Sequence, residues 1–358
     1  MLTILDRYII KKFLSTYFFM LGIIMLLSMV FDISANLSEF MQNNAPISAI
    51  FFEYYLNFLV YYGNTFSSII VFISVIWFTA KMTQDSEIIP MLFSGRPFIR
   101  ILKPYAISAT ILLVLSIFIN HFLLPISNKI RLDFEEKYYR SRMLVENYHA
   151  EFNKEKYVYF SSYNNDDNIV YNFNMEQWSK SNAPLYFIRA TMAKNYPGTF
   201  RWELTNYYER RIGDTEDKLD VGQKKDTVFT FKIEDLAYRD NRSEIMKNSD
   251  LKVFIAREEA KGSPNVALHK IVLYQRTAMP FAVYVLTLIG VAVSSTKKRG
   301  GIGLNIAIGL GFVFIYIFSM KIASVAAINV GFPPLLAVWI PNILFTLVGV
   351  YLYKISPK

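Results

Sequence analysis

Long apolar runs alternate with polar intervals along this chain, and the runs are too long for a globular core. They occupy approximately residues 13–33, 53–80, 101–124, 271–294, 304–324 and 334–353. A helix needs roughly 18 to 20 apolar residues to cross a hydrocarbon layer about 30 Å thick, and each run reaches that length. The pattern predicts six membrane-spanning helices. Between the third and fourth runs lie about 145 residues of different character, enough for a separate domain. The expected division is three spans with a connecting segment in 1–125, an inserted domain in 126–270, and three more spans in 271–358.

The inserted part opens with "ISNKIRLDFEEKYYRSRMLV" (126–145), where charges and apolar residues recur at helical spacing. Span three is expected to run on as a helix through it. After that the period shortens. "EKYVYFSS", "NIVYNFNM", "APLYFIRATMA", "TFRWELTNYYERR" and "DTVFTFKIEDL" cluster aromatic and β-branched residues, with "NNDDN" and "YPG" as turns between them. These predict an all-β domain, a sandwich or jelly roll. Its aromatic side chains fit either a plain core or a groove for an acyl chain.

Charge supplies the orientation. Arg7, Lys11, Lys12, Lys81, Arg96, Arg100, Lys103, Lys297, Lys298, Arg299, Lys354 and Lys358 flank one end of the runs, while "SANLSEFMQNNAPIS" and "VAAINVGF" at the other end carry no Lys or Arg. Cytoplasmic loops retain basic residues, so both termini are expected inside and the inserted domain outside. The first run exceeds the h-region of a cleavable signal and is expected to be retained. Residues 126–270 hold 24 basic and 23 acidic side chains, leaving 14 and 6 for the remainder. The net charge of +9 therefore reports membrane topology rather than nucleic-acid binding. Cysteine is absent, which excludes disulfides and thiolate metal sites.

Little here suggests catalysis. No G-x-x-x-x-G-K-[ST] loop occurs, and "RGGIG" at 299–303 reads as a flexible turn. The only histidines are His121, His149 and His269, with neither an H-E-x-x-H nor a G-x-S-x-G pattern around them. Ionisable residues at membrane depth are more informative because they are costly there. Lys321 lies 17 residues past Leu304, about 25 Å along a helix, in the outer half of span five. Arg276, Asp32 and Glu53 fall at a similar level. The four either pair with one another or snorkel to the outer interface, or else the two cations face a cavity and meet an anionic lipid headgroup. In span five, Gly303, Ala307, Gly311, Ser319, Ala323 and Ala327 recur at close to four-residue spacing, a pattern that permits close helix contact.

The segment "QDSEIIPMLFSG" (84–95) sits between spans two and three, on the expected cytoplasmic side. Thr83 is a candidate N-cap, Asp85 and Glu87 suit a first turn, and Gly95 suits a helix stop. Ile88, Met91 and Leu92 would form one apolar face. Such a short amphipathic helix either lies on the membrane or docks on a protein. A membrane-surface helix usually carries Lys and Arg on its polar face, whereas these acids suit a basic groove on a protein; the segment by itself leaves both readings open.

"LDRYI" (5–9), "SEIIPMLFSG" (86–95) and "GFPPLLAVWIPN" (331–342), in this order on this topology, resemble the LptF/LptG permeases of the lipopolysaccharide export transporter. The first and third look more like the LptG branch. The resemblance implies a membrane permease with six transmembrane α-helices plus an inserted all-β, jellyroll-like periplasmic domain, in the inner membrane of a Gram-negative bacterium. It implies a non-catalytic subunit that binds no cofactor itself, ATP being hydrolysed by an LptB-like ATPase dimer. Further implied partners are a homologous LptF-like permease, LptC/LptA-like periplasmic jellyroll proteins and lipopolysaccharide. Asp85, Ser86, Glu87, Met91, Leu92, Ser94 and Gly95 would form the ATPase-coupling helix, with Glu87 as its charged contact and Pro90 as a departure that can kink it. LptG relatives can place lysines near the outer end of span one, where this chain has Asp32 and Glu39. Lys321 and Arg276 are therefore the basic candidates for lipid phosphates, with Asp32 and Glu53 beside them. The competing expectation is a permease-like subunit of another ABC complex that transmits mechanical signals to its extramembrane domain.

Overall fold

The computed structural model describes residues 3–87, 98–138, 143–152, 155–164, 167–179, 183–196, 198–213, 216–231, 233, 242–260, 263, 265–295 and 301–355. The chain divides into two compact units, Met1–Tyr138 with Ile245–Leu251 and Ala267–Lys358, and Tyr139–Glu244 with Lys252–Val266.

The first unit holds six helices long and apolar enough to cross a membrane. They are α1 (Ile4–Gln42), α2 (Ile47–Gln84), α3 (98–138), α6 (Val266–Ser294), α7 (Gly301–Asn329) and α8 (Pro334–Ile355). Helix α1 starts at a capping box: Thr3 Oγ1 accepts the Asp6 amide at 3.3 Å, and Asp6 Oδ2 accepts the Thr3 amide at 2.9 Å. Helix α8 starts with Pro334 in its first turn, after Gly331 at φ 75°, where proline costs no hydrogen bond. Two helices widen locally into π turns, α2 at Ile50–Tyr55 and α3 at Ile119–Leu123. Span three does continue as a helix, described to Tyr138; a strand begins at Met143, inside the stretch expected to be helical.

Helices α2 and α6 form the interior of this unit. One side of α2 (Ile70, Val71, Val75, Phe78) packs on Ile9, Phe13 and Tyr17 of α1 and Tyr105 and Ala109 of α3. Its other side (Phe72, Ile76) meets Leu286 and Ile289 of α6 and Val313 and Tyr316 of α7. Glycine sets two of these approaches: a Cβ on Gly290 would lie 2.9 Å from Val75, and one on Gly309 would lie 2.1 Å from Ile76 Cδ1. The close contact of α7 thus runs through Gly309, which was not in the expected stripe, while Gly303 and Gly311 face open space. Spacing gave the small-residue character of α7 but not its rotation. Phe18, Phe19, Leu26, Phe31, Phe314, Phe318 and Leu347 are exposed, as side chains facing hydrocarbon should be.

The second unit is built on a six-stranded antiparallel sheet in the order β1-β2-β3-β4-β5-β6: Met143–Phe152, Lys156–Asn164, Ile169–Trp178, Pro184–Asn195, Arg201–Arg211 and Lys218–Val228. One face carries Phe160, Phe173, Ile188, Trp202, Leu204 and their neighbours, all buried, so these aromatics are core. The last strand differs from expectation. It is the polar "KLDVGQKKDTV", held to β5 by Lys224–Glu203 (2.9 Å) and by Lys225–Glu209, with Lys225 also meeting Asp220 of its own strand; Phe229, Phe231 and Ile233, expected as strand, instead fill the core. Helices α4 (Arg242–Ile245) and α5 (Asn248–Ala260), absent from the all-β expectation, follow the sheet.

Four adjacent strands share an irregularity. Buried positions run Phe160 then Tyr163, Val170 then Phe173, Ala190 then Ala193, and Leu204 then Tyr207, a step of three where a flat strand takes two. Pairing resumes in unchanged register across the step, from Tyr171↔Met192 to Phe173↔Ala190 and from Thr205↔Lys224 to Tyr207↔Gly222. Asn172 and Asn206 lie on this line with φ of 52° and 50°, the left-handed conformation asparagine tolerates best among residues with a side chain. The line is a bend across the sheet.

Candidate functional site

Two polar constellations stand out in the helical unit. The first gathers the start of α1 and the ends of α2, α3 and α6. Asp6, 3% exposed, receives both terminal nitrogens of Arg100 at 2.9 and 3.1 Å, which ties α1 to α3. Thr83 Oγ1 lies 2.9 Å from the Thr79 carbonyl and 3.0 Å from that of Ser294, which ties α2 to α6. Thr83 is thus inside α2 rather than an N-cap, because α2 runs on to Gln84. Asp85 caps the end of α2, its amide donating to the Lys81 carbonyl and the next amide, of Ser86 at φ 58°, donating to that of Thr83. Glu87 Oε2 accepts the Tyr8 hydroxyl at 3.0 Å and Lys12 Nζ at 3.4 Å. The carboxylate that leaves α2 is therefore held by α1. Met91, Leu92, Ser94 and Gly95, with Ile88 and Pro90, lie outside the described residues.

The second constellation lies at the opposite ends of the spans. Asp32 accepts the hydroxyls of Tyr54 (3.2 Å) and Tyr55 (3.1 Å) and the Asn36 amide (3.1 Å). Arg276, 4% exposed, donates to Asn248 Oδ1 at 2.6 Å. Asn248 also meets His121 in the π turn of α3, and His121 Nε2 lies 3.3 Å from Thr277 Oγ1. Glu53 sits exposed in the π turn of α2, and Lys321 is exposed on α7. Among the described residues the four membrane-depth charges do not pair with one another; Asp32 is met by Tyr54, Tyr55 and Asn36, and Asn248 is one partner of Arg276. Sequence reasoning missed the neutral partners, above all Asn342. Its Oδ1 accepts Tyr316 (2.7 Å) and its Nδ2 donates to the Ala278 carbonyl (2.9 Å), joining α6, α7 and α8. It stands in the quoted "WIPN", where a buried asparagine in a span was itself the signal.

No group of three or more metal-ligating side chains occurs among the described residues. The arrangement suits mechanical linkage: helix ends are tied pairwise by ion pairs and hydrogen bonds around an apolar interior.

The family model for the lipopolysaccharide export system permease LptF/LptG matches residues 7–355. The chain belongs to the LptF/LptG family. That family is one of transport permeases rather than catalysts. No curated protein matches the permease significantly. The match spans both units, so the six apolar helices and the inserted sheet are together the architecture of a lipopolysaccharide export permease.

Proposed function

We propose that this permease is one half of an ABC transporter that takes lipopolysaccharide from the outer leaflet of the inner membrane and passes it, through its sheet unit, to a periplasmic bridge of jellyroll proteins. The observation that carries the reading is the family match over nearly the whole chain. An LptB-like ATPase dimer supplies the energy, and a homologous permease completes the membrane part. Both termini lie in the cytoplasm and the sheet unit in the periplasm, an orientation supported by the basic flanks of the spans.

Residues 85–95 carry the coupling. Support comes from Glu87, which links the chain leaving α2 to Tyr8 and Lys12 of α1, so a push on this segment would reach α1 directly. Lys321 is the better placed of the two cations for a lipid phosphate. It is exposed on the face of α7 that presents Phe314, Phe318, Ile322 and Val325, whereas Arg276 is buried and engaged by Asn248.

Affinity purification of the full chain from its native membranes tests the proposal. A small ATPase and a second six-span permease should co-purify, and Glu87→Arg should release the ATPase. Lys12→Gln removes the charged internal partner of Glu87 and leaves Glu87 in place, so retention of the ATPase in that variant assigns Glu87 to the interface itself. If neither protein co-purifies with the unaltered chain, the transporter reading fails.

A further inference from the structure

At the bend the sheet opens a concavity of about 410 Å³ lined by Tyr159, Asn172, Asn174, Arg189, Thr191, Asn206 and Tyr208, with the core residues Phe173 and Ala190 at its floor. Small-molecule sites begin near 300 Å³. Four of these residues form one cross-strand row, Tyr159↔Asn174↔Arg189↔Tyr208, spanning β2 to β5.

Three features distinguish this row from an ordinary polar sheet face. First, Arg189 makes no ion pair among the described residues and is flanked across the strands by Asn174 and Tyr208, in contrast to Arg210, Arg211, Lys224 and Lys225 of the same sheet, which each meet a carboxylate. The nearby acid, Glu176, is occupied: one oxygen accepts Asn174 Nδ2 at 3.2 Å and the other accepts Trp178 Nε1 at 3.2 Å. Second, that bond fixes the Asn174 amide and leaves its Oδ1 buried with no hydrogen-bond partner. A buried orphan acceptor costs about 1–3 kcal/mol unless something donates to it. Third, the bend itself is held open by side-chain chemistry, Asn172 Nδ2 donating to Ser161 Oγ at 3.0 Å and Ser161 Oγ donating to the Tyr171 carbonyl at 3.1 Å.

We propose that this pocket binds an acidic sugar, a ring bearing a carboxylate or a phosphate. A guanidinium without a carboxylate presents a planar fork that matches either anion. The amides of Asn172, Asn174 and Asn206 along the lining offer polar edges for the sugar's hydroxyls. Tyr208 offers a ring face for the C–H surface of a sugar and a hydroxyl for its edge, and Tyr159, its ring against that of His149 at 4.6 Å, walls the other end of the row. A peptide strand fits less well, because peptides add to sheet edges, and here the lining strands are already paired along the row. The inference rests on the export reading only for the source of the sugar, the saccharide part of the exported glycolipid.

The test uses the full chain in detergent micelles and saturation-transfer NMR with four probes: galacturonate, glucose 1-phosphate, glucose and inorganic phosphate. Both acidic sugars should receive saturation, and glucose and inorganic phosphate should bind at least about tenfold more weakly. Arg189→Gln should weaken the acidic sugars by about tenfold or more, the loss expected for a charge-assisted hydrogen bond. Lys218→Gln, at the exposed edge strand, should leave them unchanged, and tryptophan emission reports that both variants stay folded. Stronger binding of galacturonate assigns the anion as a carboxylate, and stronger binding of glucose 1-phosphate assigns it as a phosphate. Binding that survives Arg189→Gln, or no transfer to either acidic sugar, overturns the inference. Failure of the export reading looks different: proteoliposomes holding the permease with its ATPase and second permease would release no lipopolysaccharide, although the sugars still bind.

Discussion

Alanine at Gly309 puts a methyl group where α7 already touches α2. The new Cβ would lie 2.1 Å from Ile76 Cδ1 and 2.9 and 3.3 Å from Phe72 Cε1 and Cζ, against an ordinary contact of 3.4 Å or more. Ile76 Cδ1 is the far end of a flexible chain and can swing aside; the Phe72 ring is fully buried and cannot move without displacing α6. Overpacking of this kind costs about 1–3 kcal/mol, against about 0.8–1 kcal/mol gained by replacing glycine in a helix. Gly311 has nothing within 4 Å, so Gly311→Ala collects the gain alone. The two variants should differ by about 1–3 kcal/mol, with Gly309→Ala the less stable. Thermal unfolding of the full chain in one detergent measures the order. Ile76→Val removes Cδ1, so the pair Gly309→Ala with Ile76→Val should fall short of the sum of the singles by about 0.5 kcal/mol or more. Equal melting of the two alanine variants, or strict additivity with Ile76→Val, would refute close packing of α7 on α2.

Asp6→Asn keeps a side-chain oxygen near the Thr3 amide but removes the charge opposite Arg100, and should cost about 1 kcal/mol in the same melting assay. Asn342→Leu removes the bridge among α6, α7 and α8 and should cost about 0.6–2 kcal/mol, with Tyr316→Phe, which breaks one of its two bonds, costing less. In the sheet unit, burial pushes the Glu209 carboxyl up, but hydrogen bonds from Lys225 and Arg211 outweigh it and hold it below the usual range. A carboxyl depressed by folding stabilises above its unfolded value, about 4.3, and loses that contribution as pH falls through the lowered folded value. Melting followed by tryptophan emission from pH 7 down to 3 should therefore decline steeply on the acid side, and Glu209→Gln should flatten that decline; an unchanged profile would show that the ion pair contributes nothing.

The six spans were legible because run length alone decides them: no soluble core needs 20 apolar residues in a row. Strands β2 to β5 were legible from aromatic alternation. Strand β6 was not, since "KLDVGQKKDTV" has too little apolar patterning to read as a strand and draws its order from ion pairs with β5. Its neighbours Phe229 and Phe231 look like strand for the opposite reason, being core residues that follow one. Helix α5 did carry a signal, Leu251, Phe254 and Ile255 at helical spacing, hidden by the strand-like segments before it. In the candidate site, Asp85 and Glu87 could be named from the chain alone. The partners of Glu87 could not, because Tyr8 and Lys12 are more than 70 residues away and only packing brings them near. Arg189 was invisible for a related reason: its meaning lies in which neighbours lack a charge.

Every strand of the sheet pairs with the one synthesised just before it. Such a meander needs no distant loop closure, so it can zip together hairpin by hairpin as the chain emerges, at the fast end of the range for β structure. Each stage leaves the apolar face open until the segment carrying Phe229, Phe231 and Ile233 arrives after β6 to cover Phe173 and Trp202. The covering segment is made directly after β6 and ahead of α4 and α5. A chain stalled before residue 229 would hold a finished ladder with a greasy, uncovered face, the species that chaperones outside the membrane would have to guard.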